Sequence, residues 1–92
     1  RMPLQPNLHR DIGELAFTTR DHDLAYEHYL RAFLRDKQDF DVALKLCSCA
    51  LRRGDRALAS TLVDIMLGSP DVSDEILEKA KRFKTIMTKE EQ

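Results

Sequence analysis

Cys47 and Cys49 stand two residues apart, and a Cys-x-Cys pair invites thiolate coordination of a soft metal such as zinc. Their surroundings read as helical, and helix residues two apart point to nearly opposite sides. Both thiols could serve one ion only by breaking that helix. Cysteine is also among the residues most often buried, so packing is the expected role of both. His9, His22 and His28 fall on different segments, with no cysteine or carboxylate at ligand spacing. His28 is expected to pack half-buried, and no metal or other cofactor is expected. Arg52, Arg53 and Arg56 gather around Gly54, a grouping that could touch phosphate or nucleic acid. Their place at a helix end favours a plainer role, answering the last carbonyls and the helix dipole. Asp36, Asp39 and Asp41 flank a loop, as a solvated helix start would. No nucleophile and base form a discernible catalytic pair, so an enzyme is not expected.

The elements that must position these residues are helices. Only three glycines and three prolines interrupt the 92 residues, β-branched residues are sparse, and the apolar period is helical throughout. Five helices are predicted: about Pro6 to Thr18, near Asp21 to Arg35, Phe40 to Arg53, Asp55 to Leu67, and from Ser73 or Asp74 to about residue 88. On the last of these, Glu75–Lys79 and Glu78–Arg82 are spaced for ion pairs at i,i+4. Short connections make neighbouring helices antiparallel. The composition is 42% hydrophobic and 34% charged, that of a globular chain forming a single domain over residues 1–92. Fifteen basic against 16 acidic residues leave a formal charge of −1, and the pI is about 6.3. That balance argues against a nucleic-acid partner, whose recognition needs a basic surface. No apolar run approaches a membrane span and no signal-peptide pattern opens the chain, so no membrane partner is expected. Two cysteines without a disulfide framework suit a reducing, cytoplasmic setting. The chain opens Arg1-Met2, as an added residue or a cut from a longer chain would leave it.

Self-comparison adds an internal repeat. A shift of 34 positions lays Ile12 on Leu46, Gly13 on Cys47, Ala16 on Ala50 and Phe17 on Leu51. Arg20-Asp21 falls on Gly54-Asp55, Leu24-Ala25 on Leu58-Ala59, Tyr29 on Val63 and Ala32 on Met66. Small residues meet small ones at most close-approach positions, with the turn and both helix faces in phase. Small residues at a hairpin crossing let two backbones approach, and the apolar flank stays open until another hairpin stacks on it.

These residues resemble the tetratricopeptide repeat. Ile12-Gly13-Ala16 and Leu46-Cys47-Ala50 occupy its large–small–small slots. Gly54-Asp55 matches its turn fully, and Arg20-Asp21 by half. Ala25, Tyr29 and Ala32 fit the second-helix pattern well; Ala59, Val63 and Met66 fit it less well. Pro70 supplies the proline after the second helix, whereas Lys37 stands there in the first repeat, and the usual first-helix aromatics are missing. The resemblance implies an all-α solenoid of two antiparallel helix-turn-helix hairpins with a C-terminal capping helix. Repeat one would span about 6–39, repeat two about 40–72, and the cap about 73–88. Two repeats are fewer than the three usually needed, so the N-terminal side is expected to pack on something else or the chain to self-associate.

The resemblance further implies a non-catalytic protein–protein interaction module, an adaptor, chaperone or scaffold, holding a partner peptide or amphipathic helix on its concave face. The positions on that face would be Asn7, Arg10, Glu14, Phe17 and Thr18 from the first helix. The third helix would add Asp41, Leu44, Ser48, Leu51 and Arg52, and the fifth Leu77 or Glu78 together with Lys81 or Arg82. A carboxylate clamp is not expected, because Glu14 and Ser48 stand where asparagines would be and Glu14 would repel an acidic tail. Phe17, Leu44 and Leu51 are the expected apolar anchors, with Arg10, Glu14, Ser48 and Arg52 setting polarity and register. The alternatives are homo-oligomeric assembly through the same face, and an interaction domain of a larger enzyme or regulator.

Overall fold

Four of the helices begin where a side-chain oxygen satisfies an orphan backbone N–H. The computed structural model describes residues 8–90; the expected start at Pro6, and Asn7 after it, lie outside them. The described residues form five helices and no strand: α1 (Leu8–Thr18), α2 (His22–Arg35), α3 (Phe40–Arg53), α4 (Arg56–Gly68) and α5 (Asp74–Glu90). Asp21, Asp39 and Asp55 accept from the backbone N–H of Leu24, Val42 and Leu58 at 3.2, 3.3 and 3.1 Å. Ser73 Oγ does the same for Ile76 at 3.2 Å. Each such cap is worth about 1 kcal/mol. Asp36 accepts the N–H of Gln38 at 3.0 Å and so braces the loop between α2 and α3.

The α1–α2 and α3–α4 turns are bonded alike, 34 positions apart. Asp21 N–H donates to Ala16 C=O and Asp55 N–H to Ala50 C=O, both at 2.8 Å. Arg20 N–H donates to Phe17 C=O and Gly54 N–H to Leu51 C=O, both at 3.1 Å. This paired bond set is the Schellman termination, and it needs a left-handed residue at the turn. Gly54 takes that conformation at φ 81°, with open space around its Cα; Arg20 takes it at φ 65° despite its side chain. Lacking a Cβ, glycine adopts this conformation freely, whereas arginine is strained there by about 1–2 kcal/mol.

Glycine at position 13 answers a different need. A Cβ there would stand 2.9 Å from Cδ1 of Tyr29, so the ring lies directly on the α1 backbone. In the second hairpin the same two places hold Cys47 and Val63, a larger residue opposite a smaller one, both buried. Total volume at the crossing is nearly kept while its division between the helices becomes more even. Ala25, Ala50 and Ala59 are fully buried, as small residues at a close approach must be.

The helices pack largely in chain order, each on the next, with α3 also touching α5 and pairing Lys45 with Glu14 of α1. The body is elongated, 53 × 30 × 19 Å. Tyr26 of α2 donates its hydroxyl to Asp55 at 3.0 Å, so the cap of α4 is also a tie between the hairpins. Arg53 reinforces that tie: it bonds Asp23 at 3.0 Å and stacks 4.5 Å from the Tyr26 ring centroid. Arg56 donates to the Met87 carbonyl at 2.8 Å and joins α4 to α5. Two of the three clustered arginines thus serve the fold. On α5, Glu75–Lys79 forms at 3.1 Å, while Arg82 turns to the surface described next.

Candidate functional site

Two helices contribute one stripe each, at the same i, i+3, i+4, i+7 spacing. On α3 the stripe is Asp41, Leu44, Lys45 and Ser48; on α5 it is Lys79, Arg82, Phe83 and Ile86. With Phe17 from the end of α1 they line an open groove of about 370 Å³. Its floor is apolar: Leu44 is buried, Phe17 and Phe83 are half-buried, and Ile86 is 47% exposed. Phe17 is held from behind by edge-on contacts with Tyr29 and His22, ring centroids 6.2 and 5.8 Å away.

Charges form the rim. Lys45 bonds Glu14 at 3.1 Å, and Arg10 approaches both Glu14 (3.6 Å) and Asp39 (3.4 Å). The Lys45 hydrogen bond chiefly, with Arg10 beside it, lowers the Glu14 pKa against the opposing effect of partial burial. Lys79 is engaged by Glu75. Among the described residues, Asp41 and Arg82 have no ion-pair partner, which leaves one charge of each sign available to an incoming segment. Ser48 makes no side-chain hydrogen bond within the described residues, so no base is joined to the one hydroxyl of the lining.

Of the expected concave-face residues, the groove brings together Phe17, Leu44 and Ser48, along with Asp41 and Arg82. Leu44 is floor rather than an exposed anchor, with only 8% of its surface open. Arg10 and Glu14 form the ion network on the shoulder rather than the lining. Leu51 is half-buried against the core and Arg52 is exposed; both lie outside the lining. Lys81 turns to another face of α5, beside Lys84, Thr85 and Thr88. Asn7 lies outside the described residues. Sequence reasoning missed Lys45, Lys79, Phe83 and Ile86 as groove residues. Ile86 was findable: it is apolar one turn beyond Phe83, yet outside the Ile76–Ala80–Phe83–Met87 stripe.

The other chemistry-bearing residues are accounted for by packing. Cys47 and Cys49 are free and buried; burial pushes their thiols up to about 12 and about 11, and Cys47 Sγ lies 3.8 Å from the Ala59 carbonyl. Half-buried His28 has a partner: its Nδ1 lies 2.9 Å from Nδ1 of His9, the rings stacked at 5.1 Å. Among the described residues no three His, Cys, Asp or Glu side chains converge to hold a metal, and no helix is long and apolar enough to cross a membrane. No family model, curated protein or solved structure matches this chain.

Proposed function

We propose that this chain is a non-catalytic protein–protein interaction module that holds a peptide or amphipathic helix of a partner in the α1–α3–α5 groove. The observation that carries this reading is the groove itself, an apolar floor beneath a rim with two uncommitted charges. Such a surface accepts side chains at helical spacing and fixes their register through a carboxylate on Arg82 and a cation on Asp41. The fold we assign is a solenoid of two tetratricopeptide-like hairpins with α5 as the cap; the 34-residue recurrence of the turn bonds supports it. An adaptor, chaperone or scaffold role follows from that assignment. Buried free thiols suit a reducing compartment, and the cytoplasm is the location we assign.

Peptides selected from a displayed random library on the immobilised chain test the groove. Ile86→Asp is the appropriate lesion, because Ile86 is half exposed, whereas Leu44→Asp would damage the core. Selected peptides are expected to bind Ile86→Asp at least about tenfold more weakly, with its melting temperature unchanged. Failure to enrich any peptide, or affinities indifferent to both Ile86→Asp and Arg82→Glu, would remove this reading.

A further inference from the structure

The 34-residue stride assigns a second surface, away from the groove. Val42, Leu46 and Cys49 form one stripe of α3, and they are 1%, 0% and 0% exposed. The adjacent stripe, which includes Cys47, faces α4, and α2 is the helix that packs on α3 from the other side. Stepping back by one stride gives Leu8, Ile12 and Leu15 on α1. Their neighbouring stripe, which includes His9 and Gly13, packs on α2 through His28 and Tyr29. Yet Leu8 is 38% exposed, Leu15 is 68% exposed and Ile12 is half-buried. The same apolar stripe is therefore sealed in the second hairpin and open in the first.

We propose that the Leu8–Ile12–Leu15 face of α1 docks a partner's helical hairpin, which lays an amphipathic helix along α1 as α2 lies along α3. The internal packing of α2 on α3, the helix whose equivalent stripe is sealed, is the template for this occupant. A second copy of the chain fits less well. Its two helices of the α2 kind, α2 and α4, already cover α3 and α5.

A lengthened chain tests the proposal, with residues 8–41 duplicated directly ahead of Leu8. The added α2 sequence then reaches the original α1 through its native loop, and tethering removes weak affinity as an explanation of failure. The lengthened chain is expected to melt at least ~5 °C above the parent, as a well-packed added interface should allow. Leu15→Asp in the original α1 should abolish that rise, while the same change in the parent moves its melting temperature little. An unchanged melting temperature, or a rise that survives Leu15→Asp, would overturn the proposal. So would a parent chain that dimerises in sedimentation and loses the dimer on Leu15→Asp, because a second copy would then be the occupant.

Discussion

Gly13 and Tyr29 show how closely single residues are matched across a hairpin crossing. The tyrosine ring occupies the space a side chain at position 13 would need, so Gly13→Cys alone should overpack the crossing and cost about 1–3 kcal/mol. Tyr29→Val alone leaves a cavity and should cost about 2–4 kcal/mol. Together they recreate the Cys47–Val63 arrangement, and the double variant should be more stable than the sum of the two losses predicts. Urea melts of the four proteins measure this coupling; strict additivity would mean the two hairpins divide their volume independently. The buried thiols set a second expectation. Cys47 and Cys49 hold their protons up to about 12 and about 11, against an ordinary 9.0, and burial raises Tyr29 in the same direction. Above about pH 9 the unfolded chain has released protons that the native chain still binds, so stability falls as pH rises through about 11. Thermal melts from pH 8 upward should show that fall, and a Cys47→Ala/Cys49→Ala chain should show less of it.

At the scale of the element, helix ends were the most legible feature of the sequence. The bounds of α3 agree with expectation, because Asp39 and Gly54 are strong local stop signs whose effect needs no tertiary partner. The starts of α2 and α4 are each one residue later than predicted, since Asp21 and Asp55 cap their helices rather than join them. What a sequence hides is the long-range use of such residues. Asp55 reads as a cap, and nothing local announces the Tyr26 hydroxyl on its other oxygen. Lys45 reads as solvated, and only the approach of α1 to α3 reveals Glu14 as its partner. The two turns give this scale its prediction. Arg20→Gly relieves a left-handed arginine while making the unfolded chain more flexible, so it should stabilise by a net ~0.5–1 kcal/mol. Gly54→Arg should cost about 1–2 kcal/mol, and negligible effects at both positions would mean that the left-handed conformation strains neither turn.

For the whole molecule, the all-helical class and the order of five helices were readable from apolar spacing, and the groove only in part. Phe17, Leu44 and Ser48 follow from the stride, because they sit where the period of the repeat is intact. The α5 side was blurred: Ala80 fills the buried small-residue slot one position early, which rotates every later residue of α5 relative to the repeat. That shift would carry the Ser48 place from Arg82 to Lys81, yet the groove takes Lys79 and Arg82, the residues at the unshifted stride from Lys45 and Ser48. The packing of helices largely in chain order has a mechanical consequence as well. Under a pulling force applied to the two ends, load beyond adjacent helices falls on a few cross-links: the α3–α5 contact, the Tyr26–Asp55 bond and, from α1, the Glu14–Lys45 and Arg10–Asp39 ion pairs. The molecule should part like a zip from its ends inward, with α3, which packs on α2, α4 and α5 and pairs Lys45 with Glu14 of α1, yielding last.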